Sequence, residues 1–411
     1  MLAENGGVGN LTASWIKELE DGYGDIVAWR RAFHEFPELS FEEIRTPARI
    51  AELLQSFGIE VKTDIGGHGV VGLLKGTAQG NGAHIAFRAD FDGLPIQDTK
   101  DVPYKSKVNG VMHACGHDGH TAALLGVARV LKKFQHEISG TVTFIFQHAE
   151  EKPPGGAISF VKEGVLENVD AIYGAHLSSV IPFGVIGSRA GIKQASADTF
   201  EVSVKGLSAH GATPEEGVDA IAIGAQIITQ LQHIVSRRIS AAKQAVLSIG
   251  KFQGGTAENI VADEAVFSGT VRTFDEETRQ FIKEEIIHLA TYIAGAHHAK
   301  ADVDYQFGYP PLVNHKKETE IVQQIVERDF PTWTYEELPP GLGAEDFSYY
   351  LREVPGNFFF VGAKQENVDQ PIPHHHPLFD FDEQALLNIG KVFLSIVDHY
   401  EKETRQPANS N

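Results

Sequence analysis

The sequence predicts an α/β fold, a mostly parallel sheet with helices on both faces, carrying an inserted ferredoxin-like α+β domain. Three observations predict it. From Ile59 onward, β-branched apolar runs alternate with helical patterns, the signature of strand–helix–strand units. Several of those runs end in carboxylates or histidines, and open α/β sheets gather ligands at the carboxyl ends of their strands. From about Ser196 the order changes to strand, helix, two strands, helix, strand, which suggests an antiparallel sandwich. The expected division is 1–195 and 309–411 for the main domain and 196–308 for the insert.

The elements follow in order. Leu11 to Phe36 carries apolar residues at Ile16, Leu19, Ile26, Val27 and Phe33, the pattern of one long helix or two short ones. Trp15 and Trp29 are read as packing residues. Thr46-Pro47 reads as a helix start, with Thr46 as N-cap, and Gly58 as the glycine that ends that helix. Ile59 to Thr63, Val70 to Lys75 and His84 to Arg88 read as strands. Gly67-His68-Gly69-Val70-Val71-Gly72 fits a dinucleotide-binding GxGxxG, but a strand pattern follows it instead of a helix, so a glycine-rich hairpin is the better reading.

The strand to Arg88 runs into Ala89-Asp90-Phe91-Asp92-Gly93, whose carboxylates are either metal-type ligands or turn formers. A helix is expected over Thr121 to Phe134, and a strand over Thr141 to Phe146 that ends in Gln147-His148-Ala149-Glu150-Glu151. Ala157 to Glu163 reads as a helix, and Ala171 to Gly174 as a short strand ending at His176. The insert is read as strands Thr199–Lys205, Ala245–Phe252, Ala265–Arg272 and Asp302–Phe307 with helices Asp219–Val235 and Glu276–Ala294. A last strand, Asn357 to Val361, a closing helix, Glu383 to Glu401, and a polar tail, Thr404 to Asn411, complete the chain.

Composition narrows the function. The formal charge of −20 disfavours nucleic acid and anionic membrane as partners. A single cysteine excludes an intrachain disulfide and a CxxC zinc ribbon, and a reduced, cytoplasmic setting is the simple inference. Met1 to Asn10 shows no basic region followed by an apolar core, so no secretory leader is read there, and no run is long and apolar enough to span a bilayer.

Val111-Met112-His113-Ala114-Cys115-Gly116-His117-Asp118-Gly119-His120 holds three histidines, an aspartate and the only cysteine. Such density of borderline and soft donors reads as metal chemistry, against the plainer reading of a polar loop capped by Asp118. Asp90, Asp92, Glu150, Glu151 and His176 arrive at the same sheet edge from three separate strand ends, which strengthens the metal reading. Neighbouring side chains diverge in extended backbone, so one of Glu150 and Glu151 can ligate while the other reaches a water. HExxH, Walker and GxSxG motifs do not occur, and Cys115 among metal-type ligands is a poor free nucleophile.

These stretches together resemble one family. Met112 to Ala122 is similar to the signature of the metal-dependent amidohydrolases that include hippurate hydrolase, bacterial N-acyl-amino-acid hydrolases and plant auxin-conjugate hydrolases, a branch of the aminoacylase and carboxypeptidase-type dimetal peptidases. Arg88-Ala89-Asp90-Phe91-Asp92-Gly93-Leu94-Pro95 resembles its RADxDALP, Phe146 to Glu151 its FQPAEE, Gly343 to Phe347 its GSEDF and His375 to Phe379 its HSPxF. The resemblance spans nearly the whole chain.

It implies two divalent metals per subunit, zinc, manganese, cobalt or nickel, held by Cys115, His117, Glu151, His176 and His375. Glu150 is implied as general base and acid, and Asp90 as a residue orienting a ligand from behind. The insert is implied as a lid and dimerisation surface, making a homodimer or higher homo-oligomer. Gly206-Leu207-Ser208-Ala209-His210-Gly211 resembles GxGGHAA, so His210 is implied to reach the partner subunit's site and hold the oxyanion. Asn259 and Arg272 match lid positions assigned to the substrate carboxylate, with a structural ion pair as the alternative for Arg272. The expected reaction is hydrolysis of a small-molecule N-acyl amino acid. Activity on short peptides, or a catalytically silent metal-binding protein on the same fold, are the alternatives. The chain departs from the family at Lys152-Pro153-Pro154, where glycines are usual, at Ser208, and at His376, where serine is usual, so His375 competes with its neighbours for the ligand role.

Overall fold

The structure is a computed structural model that describes residues 11–366 and 370–405. The leader expectation on Met1–Asn10 falls outside the described residues; of the tail expected over Thr404–Asn411, Thr404 and Arg405 instead end the closing helix Ala385–Arg405, and the remainder falls outside the described residues. The chain divides into two compact units. One comprises Met1–Gly191, Asn314–Pro339 and Tyr349–Asn411; the other comprises Ile192–Val313 and Pro340–Ser348. The Gly343–Phe347 motif therefore belongs to the second unit.

The first unit is built on an eight-stranded sheet. Its strands are β1 (Glu60–Ile65), β2 (Gly69–Lys75), β3 (His84–Asp90), β4 (Thr141–Gln147), β5 (Ala171–Pro182), β6 (Val185–Ser188), β7 (Thr334–Glu337) and β8 (Gly356–Lys364). They lie in the order β1-β2-β4-β3-β5-β8-β6-β7. The interior run β4-β3-β5-β8 is parallel, as is the outer pair β6-β7, while β1-β2, β2-β4 and β6-β8 are antiparallel. The sheet is thus mixed, and its parallel character is concentrated in the middle, where β3 and β4 are buried along nearly their whole length. The GxGxxG stretch is the turn and second strand of the β1–β2 hairpin, with Ile65 opposite Gly69.

Helix ends explain the differences from expectation. The N-terminal segment forms two helices, Leu11–Asp21 and Tyr23–Glu35. The next, Arg45–Phe57, is not capped by Thr46 but by Glu38, whose carboxylate accepts the N–H groups of Ile44, Arg45 and Thr46 at 2.7–3.0 Å. A carboxylate there satisfies orphan donors and complements the helix dipole. Gly58 ends the helix in the left-handed conformation, φ 81°.

The helix expected from Thr121 begins at His117 and runs to Lys133. Gly116, at φ 96°, makes the turn that a side-chain-bearing residue adopts only with strain. Every residue from His117 to Ala128 is buried, so the helix shows no polar face, and its first turn was hidden in the histidine-rich stretch. Leu124, Leu125, Val127 and Leu131 pack with Phe87, Phe144, Phe359 and Phe393 in one core.

In the second unit, four strands lie in the order Ala245–Gly254, Glu264–Thr273, Asp198–Lys205, Lys300–Gln306, all neighbours antiparallel. Helices Ala220–His233 and Glu276–Ala296 lay Ile223, Ile227, Leu231, Ile282 and Ile286 against Phe200, Val202 and Phe267. Asp219 caps the first helix through the N–H groups of Ile221 and Ala222. Asp275 caps the second through the N–H of Thr278.

Candidate metal centre

Parallel β3 and β4 end in register, Asp90 beside Gln147. The chain beyond β3 carries Asp92, and the chain beyond β4 carries Glu150 and Glu151. Strand β5 runs past its last pairing with β3 at Gly174, so His176 overhangs the same edge although it lies within a strand that continues to Pro182. The start of helix His117–Lys133 completes the edge with Cys115 and His117.

These side chains form overlapping groups whose candidate donor atoms lie within 4.8 Å of one another, three of them besides the group Asp90, His117 and His120. The three are Cys115, His176 and His374; Cys115, Glu151 and His375; and His117, Glu150 and Glu151. Cys115 Sγ is 3.4 Å from His176 Nε2. Glu151 Oε1 is 3.2 Å from His375 Nε2 and 3.9 Å from His117 Nε2. Cys115 and Glu151 each belong to two groups, so the donors form adjoining nests, the arrangement two neighbouring cations require.

Hydrogen bonds behind the donors fix which nitrogen faces inward. His117 Nδ1 donates to Asp92, 3.1 Å from Oδ1 and 3.0 Å from the backbone oxygen, which turns Nε2 to the centre. That Nε2 is buried and has no hydrogen-bond partner among the described residues. His176 Nδ1 donates to the Leu177 carbonyl at 2.6 Å, likewise turning Nε2 inward. A carboxylate or carbonyl on the outer nitrogen is the usual support of a metal-binding histidine.

His120 is different. Its Nε2 accepts the Leu177 N–H at 2.9 Å and its Nδ1 donates to Asp90 Oδ1 at 2.6 Å, so both nitrogens are used. Asp90 also takes Arg88 on Oδ2. Asp90 therefore braces His120 and Arg88, while the orienting of His117 falls to Asp92. Asp92 Oδ2 further accepts the Ser40 hydroxyl at 2.7 Å and the Glu151 N–H at 3.0 Å.

The electrostatics favour a cation. Burial opposes charge on His117, yet Asp90, Asp92 and Glu151 carry its pKa up to about 10. Burial, then Glu151, Glu150 and Asp90, push the Cys115 thiol well above its usual range. Burial and the neighbouring His120 and His374 hold His176 well below the usual imidazole value. In His374, burial with His120 and His375 brings the pKa down to about 3. Protons thus concentrate where Asp90, Asp92 and Glu151 converge, the place a divalent ion would neutralise. Imidazole nitrogens, a thiol and carboxylates form a donor set suited to zinc and to the other divalent transition metals.

The structure brings Asp90, Cys115, His117, Glu150, Glu151, His176 and His375 together in the first unit. Glu150 is 7% exposed. Of the three adjacent histidines, His374 and His375 both reach the groups, whereas His376 Nδ1 is taken by the Leu378 N–H at 3.1 Å. His210, Asn259 and Arg272 belong to the second unit. There His210 sits on a two-residue strand opposite Ile260, and the Gly211 N–H donates to the Asn259 carbonyl at 2.8 Å, so His210 and Asn259 are neighbours. Arg272 lies on strand Glu264–Thr273, half-buried, with no ion pair among the described residues. The roles of Asp92 and His120 were not legible in the sequence although both stand inside the motifs, whereas His374 is one of the neighbours the sequence left in competition with His375.

Residues 86–399 match the model of peptidase family M20/M25/M40. The chain is 45% identical over 396 residues to the putative amidohydrolase YhaA of Bacillus subtilis (strain 168), covering 94% of this chain and 97% of that protein. It is 44% identical over 311 residues to the N-acyl-L-amino acid amidohydrolase of Geobacillus stearothermophilus, covering 74% and 82%. Among solved structures, the Bacillus subtilis YXEP protein, described as a dinuclear metal binding peptidase, superposes with a TM-score of 0.80 at 35% identity, covering 94% of this chain and 99% of that one.

Proposed function

The chain belongs to peptidase family M20/M25/M40 and is a metal-dependent hydrolase of carbon–nitrogen bonds, and we propose that its substrates are N-acyl amino acids with acetyl, benzoyl or similar acyl groups. The observation that carries this reading is the set of adjoining donor groups linked through Cys115 and Glu151, one of which includes the acid Glu150. The amidohydrolase relatives support the substrate class.

In this reading Cys115, His117, Glu151, His176 and His375 hold two divalent cations, with His374 as a further donor. Bound there, the cations would supply Lewis acidity to a water and to the scissile carbonyl. Glu150 takes the proton from the attacking water and then delivers it to the leaving amine nitrogen, so one carboxylate serves as base and acid in turn. Asp92 holds His117 in the tautomer with Nε2 free. Asp90, through His120, stiffens the floor beneath His176. His210 is assigned to the oxyanion in the site of a second copy, and Asn259 and Arg272 to the substrate carboxylate, a role that the absence of an ion pair leaves open to Arg272. A preorganised donor at the oxyanion is worth about 3–4 kcal/mol.

A homodimer through the second unit belongs to the same reading. Helix Ala220–His233 exposes Ile221, Ala222, Ala225, Gln226, Thr229 and Gln232, with His233 the one titratable group, at its end. Strand Ala245–Gly254 is an edge of its sheet among the described residues. No helix among the described residues is long and apolar enough to cross a membrane. Cytoplasmic residence follows the single-cysteine argument. The family's peptidase description favours dipeptides as the second substrate class.

The test is amine release from acetyl-, benzoyl- and indoleacetyl-amino acids and from dipeptides. It is run on metal-stripped protein and again with zinc, manganese, cobalt or nickel restored. Metal-dependent release from acyl-amino acids is expected. Release from dipeptides alone would replace the substrate class, and no release from protein carrying two metals would overturn the reading.

A further inference from the structure

The corner that follows β4 has an unusual backbone. Ala149 is fully buried and left-handed, at φ 54°, a conformation that residues other than glycine, asparagine and aspartate seldom adopt. The next two residues are the acid and the shared donor of the candidate site. Something must hold Ala149 in place, and the contacts name it. Glu43 Oε1 accepts the Ala149 N–H at 2.9 Å, across 106 residues of sequence. On the other side of the corner, the Gly156 N–H donates to the Ala149 carbonyl at 3.2 Å, and Asp92 takes the Glu151 N–H. Glu43 is itself fully buried and Phe41, just upstream, is a second left-handed residue at φ 68°. His148 and His68 pack beside it, the His68 Nδ1 donating to the Glu43 carbonyl at 2.5 Å.

We propose that Glu43 is a positioning residue for the hydrolysis, holding the left-handed Ala149 corner so that Glu150 and Glu151 diverge, one towards the water and the other towards the cations. Glu43 touches neither substrate nor metal. It acts through the Ala149 amide, much as an outer carboxylate acts through a ligating histidine. An extended Ala149 would send Glu150 and Glu151 elsewhere, because alternate residues of extended backbone point to opposite faces. The proposal rests on the metallohydrolase reading given above, and its test separates the two.

Only the acceptor oxygen is needed, so Glu43→Gln should work where Glu43→Ala does not. Burial and the neighbouring Asp92 push the Glu43 carboxyl up to about 8, so a neutral amide is also close to the native charge state at neutral pH. Cobalt(II) is titrated into wild type, E43A and E43Q and followed by its visible absorption, and kcat and KM are measured at saturating metal. E43A should bind cobalt about tenfold more weakly, with an altered spectrum, and lose about 10- to 100-fold in kcat with KM within about threefold. E43Q should recover affinity, spectrum and kcat to within about threefold. If E43A fails to fold, Glu43→Asp, one methylene too short to reach the amide, takes its place with the same expectation. Adding Ala149→Gly to E43A should restore part of kcat, because glycine holds positive φ without strain.

The proposal is overturned if E43A matches wild type in cobalt affinity and spectrum, or if E43Q is as impaired as E43A. If wild type hydrolyses no acyl-amino acid or dipeptide, the metallohydrolase reading has failed, and the cobalt spectra alone decide whether Glu43 shapes the donor corner.

Discussion

Replacing Asp92 by asparagine keeps the shape of a buried side chain and removes one acceptor. Asp92 receives three donors: the Ser40 hydroxyl at 2.7 Å, the Glu151 N–H at 3.0 Å and His117 Nδ1–H at 3.1 Å. An amide has a single oxygen. If it serves Ser40 and Glu151, the amide N–H2 faces His117 Nδ1, and the imidazole proton must move to Nε2, the nitrogen turned towards the donor group of Glu150 and Glu151. If it serves His117 instead, two N–H groups meet at Glu151 and the corner shifts. Either way one hydrogen bond to a charged group is lost, about 1.5–3 kcal/mol. At about 1.4 kcal/mol per factor of ten, zinc binding should weaken about 10- to 100-fold. The assay is competition between the protein and a fluorescent zinc chelator, with metal counted at saturation. At saturating zinc the remaining turnover reports how far Glu150 still reaches the water. A zinc affinity within twofold of wild type would refute the assignment of Asp92 as the support of His117.

Three further outcomes are expected. His374→Ala and His375→Ala should each lower metal content after dialysis, whereas His376→Ala should leave it unchanged, and loss of metal in H376A alone would reverse the assignment. Arg30 is fully buried and bonds Asp118 at 2.8 Å, Asp380 at 3.0 Å and Glu383 at 3.1 Å. Arg30→Met removes the guanidinium bound to the buried Asp118 carboxylate and leaves His34 as its hydrogen-bonded partner, so denaturant unfolding should show a loss of about 3–5 kcal/mol, and a loss under about 1 kcal/mol would contradict this. Glu43 titrates near 4.5 when unfolded but near 8 when folded, so the folded state holds the extra proton between those values and stability falls as pH rises through that window. In metal-free protein E43Q should flatten this slope, at most about 1.4 kcal/mol per pH unit, and an unchanged slope would show the carboxyl is ionised throughout.

The site was legible where sequence neighbours are also site neighbours. Cys115 and His117 share one turn, Glu150 and Glu151 one corner, and Asp90 ends a strand whose β-branched run is plain. The hairpin around Gly67–Gly72 was legible because a strand pattern follows the glycines. What stayed hidden depends on long separations. Asp92 meets Glu151 only after β3 and β4 pair in parallel, and Glu43 meets Ala149 across 106 residues of sequence. The strands Val185–Ser188 and Thr334–Glu337 are four residues each, too short for a period to show, and β7 lies largely exposed at the sheet edge. The helix from His117 was read late because its first turn is made of polar residues that are nonetheless buried. Thr46 resembled an N-cap, but Glu38 occupies the donors from outside the helix.

The most direct test concerns Glu150. Wild type and Glu150→Gln are loaded with the same metal, the bound ions are counted in both, and amine release is followed on the best acyl-amino acid. The proposed mechanism expects equal metal content, near two per subunit, with turnover in E150Q lowered at least about 100-fold because the proton acceptor is gone. Turnover within about threefold of wild type at full metal content would contradict the assignment of Glu150 as the base.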